Sequence, residues 1–331
     1  MTAKPDLADF ALGTFSVAGA APFAGLVIDG RVIAAGPESV FQMLQHWDTA
    51  LPALCRLAEE FRAGPRSAAL RAQSAPLDTL RVHRPVDLPR NVYCAGMNYR
   101  KHVIDLIMSQ SGAADTPGLS EADRRAQAEK TMDVRAASGE PFVFIKAVSA
   151  IVGANDPVPL PDGVTRPDWE LELGVVIGRP ARHVKRADAL DYVAGYAVVN
   201  DVTARDRISH KEMRFDWLKG KSQPGFLPFG PYLVPAPFVR DPQKLQLTLT
   251  LNGQTMQDES SADMIYGVAR LIEYLSTHVQ LLPGDLICTG SPAGNGAHYD
   301  RFLRAGDVME AAIDGLGSQR NPCVAETKPE V

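Results

Sequence analysis

Asp168, Glu170 and Glu172 occupy alternate positions in the run Pro167-Asp-Trp-Glu-Leu-Glu-Leu-Gly-Val-Val-Ile177, an otherwise apolar, strand-like segment. Residues two apart in an extended chain share a face, so the carboxylates line one side while Trp169, Leu171 and Leu173 take the other. Carboxylates crowded onto such a strand are costly unless neutralised, and a hard divalent cation held by oxygen ligands is one solution. An edge strand with a solvated acidic face is the other. Asp201 closes a second apolar run, Gly195-Tyr-Ala-Val-Val-Asn-Asp201, and Arg205 follows one helical turn later, so both can face one pocket. That makes Asp201 a further candidate metal ligand, its alternative being an N-cap for the following helix.

The rest of the chain points to a small-molecule partner. A net charge of -5 with scattered Lys and Arg leaves no electrostatic footprint for nucleic acid or an anionic membrane. Four cysteines stand far apart with no C-x-x-C pair, which suits buried thiols in a reducing compartment and implies neither a zinc site nor a disulfide framework. No signal pattern opens the chain and no apolar run approaches the roughly 18 residues of a membrane span, so the expected location is cytoplasmic.

The order of elements predicts an α+β protein in two parts: a small N-terminal α+β domain over residues 1–85 and a catalytic domain over 86–331. Leu26 to Ala34 reads as a hairpin about Asp29-Gly30. Val40, Met43, Leu44, Leu51, Leu54, Leu57 and Phe61 fall at helical spacing, which Pro52 should interrupt. The prolines of Arg84-Pro-Val-Asp-Leu-Pro-Arg-Asn91 mark the boundary. Beyond it, strand-like runs recur at Val92-Ala95, Pro141-Lys146, Glu170-Ile177, Gly195-Val199, Leu245-Leu251 and Asp307-Ile313, and Asp263 to Val279 is the clearest helix. A polar stretch within a lid-like insertion at about 105–140 contains a helix opened by Ser120 with Asp123 three residues on.

Two superficial motifs fail. Trp217-Leu-Lys-Gly-Lys221-Ser222 lacks the first glycine of a P-loop, where Phe215 stands, and Gly294-Asn-Gly296 lacks the third glycine of a dinucleotide fingerprint, where Tyr299 stands. A third holds more promise: in Cys94-Ala-Gly-Met-Asn-Tyr-Arg-Lys-His102-Val-Ile-Asp105, His102 and Asp105 share a helical face, an arrangement in which the carboxylate could orient the imidazole as a general base.

Taken together, Gly96-Met-Asn-Tyr-Arg-Lys-His102, Pro141-Phe-Val-Phe-Ile-Lys146, Asp168 to Gly178, Gly195 to Asp206, Gly220-Lys-Ser222, Leu282 to Gly294 and Ala305-Gly-Asp307 resemble the fumarylacetoacetate hydrolase family over roughly residues 90–325. Within that family the chain looks like the bacterial acylpyruvases and the 2-hydroxyhepta-2,4-diene-1,7-dioate isomerases. The resemblance implies a mixed β-roll or barrel-like catalytic domain, a homodimer, and one Mg²⁺ or Mn²⁺ per site beside a 2-oxo or diketo acid. Carried over by motif, it implies Glu170, Glu172 and Asp201 as metal ligands, and His102, Asp105 and Lys221 as catalytic groups. Arg205, Lys146, Tyr99, Ser291 and Gly290 are implied at the substrate. Asp105 stands where a glutamate is common, Ser291 where threonine is usual, Ile208 where a glutamine is common and Asn295 where an apolar residue is frequent. The expected activity is metal-dependent C–C bond hydrolysis of an acylpyruvate or related 2,4-diketo acid in aromatic or related catabolism. The alternatives are an isomerase or decarboxylase at the same site and a non-catalytic scaffold with a structural cation.

Overall fold

The structure, a computed structural model, describes residues 10–110, 119–210, 212 and 214–327. Part of the lid-like insertion lies outside these residues.

Residues near the N-terminus form a five-stranded antiparallel sheet in the order Ala75–Pro76, Arg31–Ala34, Phe23–Ile28, Ala11–Ser16, Arg81–Val82. Asp29 and Gly30 both have positive φ, 50° and 74°, as a two-residue turn twisted to match its strands requires. The helical region breaks earlier than Pro52 suggests. One helix ends at Leu44 and a second runs Trp47–Ala63 with Pro52 inside it. His46 is the N-cap of the second helix, and Trp47, Ala50, Leu54, Ala58 and Phe61 form its buried stripe. That stripe packs in one cluster with Leu12 and Leu26, and also with Val176, Ala194 and Leu233 of the larger unit. Leu12 and Leu233 exchange both backbone hydrogen bonds, at 2.9 and 2.8 Å.

The main sheet is mixed and runs Phe142–Lys146, Val92–Gly96, Leu286–Cys288, Leu171–Ile177, Val193–Asn200, Leu227–Phe229, Ile151–Gly153, with Val234–Pro235 also paired to the Val193–Asn200 strand. A second, five-stranded sheet runs Gln254–Ser260, Gln246–Leu251, Val308–Ile313, Gly317–Ala325, Val158–Leu160. Trp169, Leu171, Leu173, Val175 and Ile177 join Leu247, Leu249, Leu251, Met309, Ala311 and Ile313 in the core that includes both sheets. The odd-numbered side chains of the acidic strand therefore anchor the fold, and Glu170 and Glu172 fall on the opposite face.

The expected helix over 263–279 starts late, at Val268. Asn98 is the reason. Its backbone O accepts from Ile265 N at 2.7 Å and its side-chain Oδ1 from Tyr266 N at 2.9 Å, which keeps that segment extended until Gly267 caps the helix. Asn98 Nδ2 donates in turn to Tyr266 O and Thr289 O, at 2.9 and 2.8 Å. The lid-like region contributes Arg100–Gln110 and Glu121–Ser138, the latter opened by a reciprocal Ser120–Asp123 capping box. Val103, Ile104, Ala128 and Met132 make a small satellite core between these helices. Cys94, Cys288 and Cys323 are buried free thiols and Cys55 is half-buried. Among the described residues no helix is long and apolar enough to cross a membrane.

Candidate active site

Strand register brings the acids together. Leu171 pairs with Asn200 and Glu172 with Val199. One step further, Asp201 N donates to Glu170 O at 2.8 Å. Glu170 and Asp201 are thus cross-strand neighbours, and Glu172 lies two residues along the same face. Carboxylate oxygens of the three lie within 4.8 Å of one another, and all three side chains are buried.

Three cationic side chains enter this cluster. Lys221 donates to Glu170 Oε2 and Asp201 Oδ2, both at 2.6 Å, and sits 5.3 Å from the centre of the Phe144 ring. Arg205 donates from Nε to Asp168 Oδ2 at 2.9 Å and from Nη2 to Glu170 Oε1 at 2.5 Å, leaving 24% of its side chain exposed. Lys146 corrects an expectation. Its ammonium is fully buried and spends its three donors on Asp201 Oδ1, Val202 O and Phe226 O, at 2.5, 3.0 and 2.6 Å. With no N–H left over, it holds Asp201 and two strand ends in place and cannot also bind substrate. Lys221 is likewise more tightly committed than an oxyanion donor in an open cleft: it is 3% exposed and bridges two carboxylates.

Charge is unevenly matched within the cluster. Although burial opposes it, Lys221 and Arg205 hold the Glu170 carboxyl down to about 2. Burial and the neighbouring Asp201 push Glu172 well above the usual carboxylate range. The hydrogen bond that reaches its carboxylate comes from Gly290 N, at 2.7 Å. Gly290 is required there: its φ is +95°, and an added Cβ would stand 2.9 Å from Ala95 O. Tyr99 Oη is buried without a hydrogen-bond partner among the described residues, and Glu172 is among the charges acting on it. Three converging carboxylates, one of them with no ion pair among the described residues, and an orphaned hydroxyl near it form a hard-oxygen donor set that fits Mg²⁺ or Mn²⁺.

His102 lies close enough to this cluster to feel Glu170, Arg205 and Lys221, and burial lowers its imidazole to about 4, so it is neutral at pH 7. The expected dyad is not formed: among the described residues no hydrogen bond joins His102 to Asp105. Asp105 instead lies 3.8 Å from Arg125 and 3.8 Å from His298. Its shorter side chain is drawn to the cation of the second lid helix, and it acts on His102 only through its charge.

Ser291, expected at the substrate, is buried and accepts from Gln257 Nε2 at 2.9 Å. Gln257 also accepts from Leu171 N at 3.0 Å, so it ties the Ser291 loop to the acidic strand. No signal in the sequence marked it, because its strand, Gln254–Ser260, is polar at nearly every position. Asp168 has a supporting role that was equally unassigned. It is fully buried, accepts from Gly296 N at 2.5 Å and Ala297 N at 3.2 Å, and presents its remaining valence to Arg205. The third acid of the alternating set thus positions the arginine while the other two face Asp201.

Residues 91–324 match the family described as fumarylacetoacetate (FAA) hydrolase, C-terminal. The chain belongs to the fumarylacetoacetate hydrolase family. A 2,4-didehydro-3-deoxy-L-rhamnonate hydrolase of Sphingomonas sp. (strain SKA58) is 47% identical over 184 residues, a match spanning 55% of this chain and 64% of that protein, just under two thirds of its length. The 2-hydroxyhepta-2,4-diene-1,7-dioate isomerase of Mycobacterium marinum superposes with a TM-score of 0.67 at 27% identity, covering 96% of this chain and all of the other. The maleylpyruvate hydrolase of Sphingobium sp. SYK-6, solved with manganese(II) and pyruvate, shares the fold with a TM-score of 0.68 at 24% identity over 96% of this chain and all of that one. Family membership thus places the chain in a set of enzymes that includes hydrolases and isomerases.

Proposed function

We propose that this chain is a divalent-cation-dependent hydrolase that cleaves a C–C bond in a 2,4-diketo acid, giving pyruvate or a related 2-oxo acid and a carboxylic acid. The observation that carries this reading is the buried convergence of Glu170, Glu172 and Asp201 beside Arg205 and a neutral histidine. The Sphingomonas relative supports it, because its name denotes a 3-deoxy acid oxidised at carbons 2 and 4.

Glu170, Glu172 and Asp201 would hold the cation. When bound, such a cation supplies Lewis-acid polarisation to substrate oxygens and neutralises the charge that develops on them. Arg205, locked in direction by Asp168 and Glu170, offers its exposed edge to the substrate carboxylate. Neutral His102 takes a proton at its ring from the water that attacks the distal acyl carbonyl. Cleavage of the bond between that carbonyl and the adjacent methylene leaves the electron pair on the 2-oxo acid fragment, and protonation of its methylene carbon completes the product. Lys221 keeps Glu170 and Asp201 at fixed separation through both steps.

Supplied with acylpyruvates and Mg²⁺ or Mn²⁺, the protein is expected to release pyruvate and the matching acid in equal amounts. One product of unchanged carbon number would turn the assignment to isomerase, and loss of CO₂ would turn it to decarboxylase. Chelation should lower turnover by about 10²-fold or more, the scale typical of lost charge stabilisation, while the protein stays folded. Unfolding on chelation with no prior loss of rate would make the cation structural. Glu172→Gln should weaken Mn²⁺ binding by at least about 10-fold, measured by titration calorimetry.

A further inference from the structure

Gly290 to His298 wraps the candidate site in anchored steps. Gly290 N donates to Glu172, Gly294 O accepts from Trp169 Nε1 at 3.0 Å, and Gly296 N donates to Asp168. The His298 ring then lies 3.8 Å from Asp105, one helical turn along from His102. Asn295 sits within this wrap. It is 2% exposed, its Oδ1 accepts from His298 N at 3.3 Å, and its Nδ2 is buried with no hydrogen-bond partner among the described residues. A buried amide donor left unpaired is costly and calls for an occupant.

The amide is also held rigidly. An added Cβ at Gly294 would stand 2.1 Å from Met256 O, and one at Gly296 would stand 2.3 Å from Arg301 O, so the backbone on both sides of Asn295 is wedged against neighbouring chain. The bond from His298 N to Oδ1 fixes which end of the amide is which. Asn295 therefore carries a preoriented donor on the loop whose next two residues, Gly296 and Ala297, bond to Asp168, the partner of Arg205, and whose His298 meets Asp105.

We propose that Asn295 determines specificity by donating from Nδ2 to an oxygen at the acyl end of the substrate, so that the preferred diketo acids carry a hydroxyl or carboxylate beyond the cleaved carbonyl. This rests on the function proposed above. A site built around such a donor rejects an analogue that lacks the oxygen, because the donor then stays buried and unpaired.

Three 2-oxo acids that cannot be hydrolysed test this by binding alone: 2-oxoadipate, 6-hydroxy-2-oxohexanoate and 2-oxohexanoate, which share a chain length and differ in the terminal group. With Mn²⁺ present, calorimetry on the intact protein should show one or both of the oxygen-tipped acids binding about 10-fold or more tighter than 2-oxohexanoate, the ratio expected of one buried hydrogen bond. The preferred acid identifies the terminal oxygen as carboxylate or hydroxyl. Asn295→Leu should erase that preference and leave 2-oxohexanoate affinity within about 3-fold. Asn295→Asp, which keeps the acceptor for His298 N, should weaken 2-oxoadipate while sparing 2-oxohexanoate. Equal wild-type affinities for all three acids, or variants that lose all three equally, would overturn the inference while leaving hydrolysis of acylpyruvates untouched. Absence of any binding to the wild-type protein would remove both the inference and the 2-oxo acid site beneath it.

Discussion

Replacing Lys146 by methionine is expected to cost about 3–5 kcal/mol of folding stability, the usual penalty for removing one partner of a buried ion pair. Methionine preserves most of the stem but leaves Asp201 Oδ1, Val202 O and Phe226 O, each now served by one ammonium, without a donor. Urea denaturation should show a lower midpoint with an unchanged slope, the signature of a stability change without altered compactness. Substrate affinity, measured on the folded fraction under stabilising conditions, should change far less. A shift in KM with a wild-type midpoint would return Lys146 to the substrate and contradict the geometry.

The second large effect is at His102. His102→Gln should lower kcat by about 10²–10⁴-fold, the range for loss of a general base, with little change in melting temperature at pH 7.5. The acid limb of kcat/KM in the wild-type protein should lie well below the ordinary 6.5, because its surroundings keep the half-buried imidazole neutral. Folding stability should follow the same group. The unfolded chain protonates this histidine at its ordinary value of 6.5 and the folded chain only at about 4, so its contribution is fully present above 6.5 and is lost as pH falls toward 4. The glutamine variant should therefore lose less stability than the wild type across that interval. Parallel stability curves for the two proteins would place the titration on another residue.

The sequence revealed the acidic strand and its main partners because period-two alternation is a local signal. Glu170, Glu172 and Asp201 meet through one antiparallel register, which two apolar runs of matching pattern suffice to suggest. Side-chain allegiance was harder to read. Lys146 and Lys221 look alike in sequence, yet one ammonium ends on one carboxylate and two backbone carbonyls and the other between two carboxylates, a difference decided by residues 55 to 80 positions away from Lys146 in the chain. Asp105 was misjudged for a similar reason: helical spacing placed it near His102, and the neighbouring helix then drew it to Arg125. Gln257 carried no pattern and Asn295 stood out only as a polar residue where the family often has an apolar one, since an isolated buried amide is recognisable only once its burial is known.

The reciprocal backbone bonds between Leu12 and Leu233 carry a practical lesson for anyone dissecting this enzyme. Leu12, Leu26, Trp47, Leu54 and Phe61 form an oily covering over Val176, Ala194 and Leu233, whose side chains would otherwise meet water on the main sheet. Trimming that covering away would bare apolar side chains on the face of the sheet that, further along the same strands, carries Glu170 and Glu172, and the shortened protein would be driven into aggregates before its chemistry could be assayed.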